Sequence, residues 1–219
     1  MVRVFVSWSG GKDSCLALYR AINSGLEIKF LFTMLGEDSS TSASHGLGKE
    51  VLDVQAKAIG IPIAYGKAST ETYEGELKNI ITVQKSRGVE GGVFGDINLQ
   101  EHRDWIERVC GDIGVKPFFP LWNDDYERLL NEFIGNGFEA IIVSAKTDLI
   151  TREWIGHAFD WEFIKYLETM GLDLLGEKGE FHTLVTNGPI FKERLRIIKF
   201  SKMVKNDQWV PEHLKVSID

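Results

Sequence analysis

Ser9-Gly10-Gly11-Lys12-Asp13-Ser14 sits near the start of this 219-residue chain, and its surroundings define what it is. Upstream, Val2, Val4, Phe5 and Val6 form an apolar, β-branched run that reads as a buried strand; downstream, Leu16, Leu18, Tyr19 and Ile22 recur at helical spacing. A glycine-rich turn therefore joins a strand to the N-terminus of a helix. Glycine permits a close backbone approach, and the first amides of a helix lack acceptors within it, so such a turn is built to hold an anion. The hydroxyls of Ser9 and Ser14, the amides of Gly10 and Gly11 and the point charge of Lys12 suit a polyphosphate. Asp13 beside a polyphosphate calls for an intervening cation, for which Mg²⁺ is the natural choice and Asp13 the expected ligand. The spacing excludes two commoner loops. A Walker A loop needs Ser or Thr after its lysine, where Asp13 stands, and the dinucleotide pattern G-x-G-x-x-G needs separated glycines and a third.

The bulk composition narrows the setting. The length allows one large or two small domains. A formal net charge of −7 argues against broad nucleic-acid affinity, which needs a basic face. Cys15 and Cys110 lie far apart in helical patterns and suggest neither a zinc framework nor a disulfide scaffold, so a reducing, cytoplasmic setting is expected. Met1 leads directly into strand pattern without the apolar region of a signal peptide. No apolar run is long enough to span a bilayer, so no membrane partner is expected.

Strand and helix patterns alternate through the first half. A strand is predicted at 28–35, followed by a polar Ser/Thr-rich loop at 36–44. A helix then begins near Gly46, with Leu47, Val51, Val54 and Ala58 as its stripe, ended by Gly60 and Pro62. A short strand at 61–65 and a helix at 73–87 follow. After them come a buried strand at 92–95 ending at Asp96, and a helix at 98–113 with Leu99, Ile106, Val109, Cys110 and Ile113 inward. This alternation predicts an α/β fold with an open parallel sheet covered on both faces, whose ligands sit at the carboxyl ends of strands. The loops at 9–14, 36–44 and 95–96 all follow strands and are expected to line one crevice. Residues 116–122, with two prolines and three aromatics, read as a packed crossover. Beyond it lie a helix at 124–136, a strand at 138–144, a helical stretch, a Gly/Glu-rich loop and short strands to the end. These form a smaller second α/β domain, and the expected division is 1–118 and 119–219.

The second unusual stretch is 176–183. Gly176 and Gly179 allow tight geometry, and two carboxylates, Glu177 and Glu180, fall beside His182 and Thr183. Close carboxylates bind cations, recognise ammonium or act as acid and base; the plainer reading is a charged hairpin loop. No further ligand cluster accompanies them to make a zinc site.

The first motif resembles the pyrophosphate loop of N-type ATP pyrophosphatases, which cleave ATP between the α- and β-phosphates. With the second stretch, nearly the whole chain resembles one family among them, the diphthine–ammonia ligases. The resemblance is carried by residues 9–14, by 55–62, by Gly95-Asp96 with His102-Arg103, and by Pro120-Leu121-Trp122. It continues through Gly137-Phe138, Trp154 to Gly156, residues 176–183 and 187–191. It implies a Rossmann-like first domain and an ATP-dependent amidation. In that reaction diphthine on elongation factor 2 is adenylated on its carboxylate, and ammonia then displaces AMP. The implied ATP site is Ser9, Gly10, Gly11, Lys12, Asp13 and Ser14 at the phosphates with Asp13 near Mg²⁺. Thr33 and Met34 would hold adenine through their backbone, with Gly95 and Asp96 beside them. Asp13, Glu177, Glu180 and His182 are the implied catalytic set. His45, His102, Arg103, Trp154, Gly156 and Thr183 are implied to face substrate.

The sequence departs from the family where Ser and Thr replace an aromatic-rich stretch at 36–44, and where His157 stands in place of an arginine. Those departures leave other acceptors open, including RNA or a small-molecule carboxylate, as well as an adenine-nucleotide sensor without turnover. An RNA-thiolating enzyme would need a basic face and reactive cysteines. A sensor would leave the 176–183 loop without a task. A homodimer remains an open arrangement.

Overall fold

The computed structural model describes residues 1–37, 41–42 and 46–219. His45 and part of the 36–44 loop lie outside them. The first half alternates strand and helix: β1 (Arg3–Ser7), α1 (Lys12–Asn23), β2 (Glu27–Leu35), α2 (Lys49–Ile59) and β3 (Ile63–Lys67). It continues with α3 (Tyr73–Ser86), β4 (Gly91–Val93), α4 (Gln100–Ile113) and β5 (Lys116–Phe118). The strands form one parallel sheet in the order β3-β2-β1-β4-β5. The chain therefore winds outward from β1 to β3, then returns to place β4 on the other side of β1. Such a reversal opens a crevice at the strand ends.

Period-two alternation builds both faces. Val4, Val6 and Leu31 point to one apolar cluster with α1 and α2; Phe5, Phe30, Phe32 and Met34 point to another with α3 and α4. Three ring contacts on Phe5, with Phe30, Phe32 and Phe94, fix the second cluster at centroid separations of 5.8, 6.2 and 5.8 Å.

The second half comprises α5 (Tyr126–Gly135), β6 (Glu139–Lys146), a 3-10 turn (Arg152–Trp154), α6 (Trp161–Met170), β7 (Phe181–Asn187), β8 (Leu195–Lys205) and β9 (Gln208–Ile218). Its sheet, in the order β7-β6-β9-β8, pairs antiparallel throughout. Asp125 caps α5 by accepting from the Arg128 amide, and Asp160 caps α6 by accepting from the amides of Glu162 and Phe163. The apolar cluster behind Val4 and Val6 runs on into this half, through Phe138, Ile142 and Phe163.

Several expectations shift. The 116–122 stretch holds a strand, β5; Pro117 is tolerated there because β5 is a sheet edge. The closing strands are not short: β8 and β9 have 11 residues each, joined by a tight turn in which Asn206 and Asp207 take φ of 52° and 57°. The second helix starts at Lys49, because Gly46 is left-handed and Leu47 packs in the core ahead of it. Leu99 precedes α4 and is 52% exposed instead of inward.

Candidate functional site

α1 begins where β1 ends, and the bend between them depends on Gly10. Its φ is +81°, and a Cβ there would lie 2.8 Å from Gln55 Oε1 and 2.9 Å from Leu52 Cδ2. The loop's hydroxyls satisfy one another: Gly11 donates its amide to Ser9 Oγ at 3.3 Å, Ser9 and Ser14 hydroxyls lie 3.2 Å apart, and Ser14 donates to the Gly11 carbonyl at 3.0 Å. The Lys12 amide donates to Thr183 Oγ1 at 3.0 Å, so β7 caps α1 from the other sheet. Among the described residues, no side chain caps the Asp13 and Ser14 amides, which remain at the positive end of the helix.

A cavity of about 480 Å³ opens at this end of the sheet. Ser7, Ser9, Asp13 and Ser14 line it from the first turn and its flanks, together with Thr33 and Met34 of β2, Gly95 and Asp96 after β4, His102 and Trp105 of α4, and Glu177. Gly95 is small for a reason: a Cβ would lie 3.0–3.2 Å from the backbone of Asp13 and Ser14. β2 runs past its last pairing with β1, Ser7 with Phe32, so the edge of Thr33 and Met34 on that side has no strand partner. Thr33 Oγ1 donates to the Trp8 carbonyl at 2.6 Å, fixing the strand end.

The charges are unevenly placed. Asp13, Asp96 and Glu177 line the cavity, and His102 is the one basic residue among its lining residues. His102 hydrogen-bonds Asp96, which raises the imidazole's pKa and favours its cation; its ring stacks on Trp105 at 5.9 Å and 2°. Lys12 does not reach this cavity. Its ammonium donates to both Asp13 oxygens, at 2.9 and 2.8 Å, and to the Leu175 carbonyl, and it is 6% exposed. Burial, reinforced by Asp13, pushes Glu177 up to about 7.

A second, smaller chamber of about 230 Å³ adjoins the first through Asp13 and Glu177, which line both spaces. Lys12, Leu175, Gly179, His182 and Thr183 also face it. Burial, with Lys12 and Lys146 nearby, lowers His182 to about 4, so its imidazole is neutral at physiological pH. A third, wider opening of about 970 Å³ adjoins the first cavity through Tyr73, His102 and Trp105; Gly36, Glu37, Thr41, Ser42 and Glu71 line it. The described residues of the 36–44 loop thus line this opening and are not among those lining the first cavity.

The remaining expected site residues are placed otherwise. Glu180 is buried and its Oε2 accepts from the Lys178 amide at 3.0 Å, so it shapes the loop and does not line the cavities. Thr183 serves α1 as a cap. Arg103 pairs with Glu107 at 2.7 Å and lies over Phe119 and Trp122, 5.0 and 4.6 Å from their centroids. Trp154 packs on Phe163 and Tyr166, and the exposed Gly156 donates its amide to the Ile142 carbonyl at 2.7 Å; neither lines the cavities. The His157 ring sits 4.8 Å from the Trp154 ring, centroid to centroid, and is not among the residues lining the cavity.

Gln55 shapes the phosphate loop from outside the cavity linings. It is fully buried: its amide nitrogen donates to the Gly10 carbonyl at 2.9 Å and the Val185 carbonyl at 2.8 Å, and its oxygen accepts from the Trp8 indole at 3.0 Å. The Val185 amide returns a bond to Gly10 at 3.0 Å. The signal was a glutamine on the apolar stripe Leu52, Ala56, Ile59.

A parallel sheet wound outward from β1, with a Gly-Gly turn entering a helix and an open crevice above it, defines a nucleotide-binding α/β protein of the pyrophosphate-loop type. The family model for the diphthamide synthase N-terminal domain matches residues 2–117, and that for the C-terminal domain matches residues 125–215. The chain belongs to the diphthamide synthase family. It is 28% identical to the diphthine–ammonia ligase of Schizosaccharomyces pombe over 94% of its own length, spanning 36% of that relative. The zebrafish (Danio rerio) protein of that name is 26% identical over 94% of this chain and 90% of its own. The human (Homo sapiens) one is 27% identical over 93% and 85%.

Proposed function

We propose that this chain is an ATP-dependent carbon–nitrogen ligase. It adenylates a carboxylate carried by a protein, diphthine on elongation factor 2, and amidates it with ammonia to give diphthamide, AMP and pyrophosphate. The observation that carries the reading is the shared cavity, in which a phosphate loop from one sheet faces Glu177 from the other. A carboxylate does not accept ammonia directly, and adenylation gives it a leaving group.

In this reading the open edge at Thr33 and Met34 receives adenine, with Phe5, Phe32 and Phe94 supplying an apolar wall. The Asp13 and Ser14 amides and the Ser9 and Ser14 hydroxyls hold the phosphates. His102, whose cation is favoured by Asp96, is placed to offset anionic charge in the cavity. The hard oxygens of Asp13 and Asp96 suit Mg²⁺. In this reading one or two carboxylates hold the cation together with substrate phosphates. When bound, Mg²⁺ supplies charge neutralisation at the polyphosphate.

Burial raises the Cys15 thiol well above its ordinary value and Cys110 to about 11, so neither is a ready thiolate and thiol-based chemistry has no nucleophile here. The test is incubation with ATP, MgCl₂, NH₄Cl and diphthine-bearing elongation factor 2. One AMP and one pyrophosphate per amide formed are expected; ADP release overturns the reading.

A further inference from the structure

Two spaces flank the nucleotide cavity, and they share no lining residue with each other. The wide one joins it through Tyr73, His102 and Trp105, the small one through Asp13 and Glu177. We propose that the small chamber between α1 and the 176–183 loop is the subsite for the nitrogen nucleophile, so that ammonium and the carboxylate-bearing acceptor reach the reaction centre from opposite sides. This deepens the ligase reading above and rests on it.

The chamber's size and lining select its occupant. At about 230 Å³ it is half the volume of the nucleotide cavity, and a protein-tethered side chain needs the wider opening. The Lys12 ammonium is the chamber's one lasting cation, and it is paired with Asp13 and bonded to the Leu175 carbonyl, so part of its charge is offset before an ammonium enters. His182 is neutral and adds no positive charge. Glu177 stands where the chamber meets the nucleotide cavity, the position from which a carboxylate can accept a proton from ammonium.

The balance is simple. Ammonium gives one proton to the Glu177 carboxylate and becomes ammonia. The nitrogen lone pair forms the C–N bond to the acyl carbon of the acyl-adenylate. The C–O bond to AMP breaks with its electron pair leaving on the AMP phosphate, and the surplus proton on the new amide nitrogen goes to solvent.

Two substitutions at His182 test the chamber in opposite directions. His182→Phe narrows it and is expected to raise the half-saturating NH₄Cl concentration about ten-fold more than the half-saturating ATP concentration. His182→Ala widens it and is expected to raise the methylamine-to-ammonium rate ratio about ten-fold. Acceptor-dependent exchange of pyrophosphate into ATP, which needs no ammonium, is measured beside them and reports a folded, adenylating enzyme. If the unaltered chain shows no such exchange, the ligase reading falls and the chamber with it. If exchange persists in His182→Ala while its methylamine ratio is unchanged, or in His182→Phe while ammonium and ATP half-saturation move together, the chamber proposal alone is overturned.

Discussion

The parallel sheet brings strand ends to the cavities, whereas the antiparallel sheet brings a single loop and one strand. In the first, β1 and β4 contribute the turns that follow them, and β2 runs on past the end of β1 to contribute Thr33 and Met34. In the second, residues 176–183 and β7 fold over the start of α1 and tie it down. The ties are the Thr183 cap, the Leu175 carbonyl on Lys12, and the mutual bonds of Gly10, Gln55 and Val185. The phosphate loop is therefore not a feature of the first sheet alone. Its shape is held from both sides, and the site exists only where the two meet.

The most direct way to break that dependence is at Gln55. Gln55→Leu removes a buried side chain that satisfies two carbonyls and an indole N–H, and leaves all three without it in an apolar setting. A loss of about 3–5 kcal/mol is expected, because each unsatisfied buried group costs roughly 1–3 kcal/mol and some recover partners. Urea unfolding checks it; a loss below about 1 kcal/mol would show that the clasp does not hold the sheets together. Arg20, which joins α1 to Glu132, Asp124 and the Pro120 carbonyl, is the parallel case on the far end of the helix. Arg20→Ala leaves Glu132 without its cation and Asp124 with only Arg128 at 3.6 Å, and about 2–4 kcal/mol is the expected cost.

The two carboxylates of one loop sharpen the comparison. Glu177 is held up at about 7 by burial and by Asp13, so the folded chain keeps its proton more tightly than the unfolded chain does. The unfolded state then releases that proton first as pH rises, and wild-type stability falls through the window from about 4.5 to about 7. Glu177→Gln does not titrate. Its stability relative to wild type should grow by about 1–3 kcal/mol between about pH 5 and pH 8, read as thermal unfolding without nucleotide. In the same variant the amidation rate should drop, since the group placed to accept a proton is gone. Glu180→Ala is expected to do the opposite: a loss of about 1 kcal/mol of stability from the unmet Lys178 amide. If the two variants behave alike, the loop has no functional division.

How much of this was legible follows from the same contrast. The first sheet was readable because its signals are local: a β-branched run, a Gly-Gly turn, a helical stripe ended by Gly60. The errors there came from proline and glycine acting by position, as at Pro117, where an edge strand tolerates what an inner strand would not. In the second half, Asn206 and Asp207 carried a hairpin turn, but strands of 11 residues are stabilised by pairing partners that no local pattern names. The site itself was legible by residue type and not by role. Glu177 and Glu180 are equivalent in sequence, and only the turn at Gly176 and Gly179 decides that one faces the cavities and the other its own backbone. Lys12 reads as a phosphate ligand until the Leu175 carbonyl, 163 residues later, is seen to hold it.

The smallest effect concerns the cap that crosses between the sheets. Thr183 is buried, and its hydroxyl accepts from the first amide of α1, where neither Gly11 nor any nearby side chain does so. Thr183→Val keeps the shape and the β-branched fit to β7 but removes the acceptor, so about 1 kcal/mol of stability should be lost. Thr183→Ser keeps the acceptor and should lose less. The effect on nucleotide is expected to run the other way from the effect on stability. With the Lys12 amide released, one more donor joins those of Asp13 and Ser14 at the helix terminus, and ATP affinity should hold or rise as stability falls. Isothermal titration beside thermal unfolding separates the two. A parallel loss of affinity would mean that the antiparallel sheet shapes the phosphate loop for binding and does not merely restrain it.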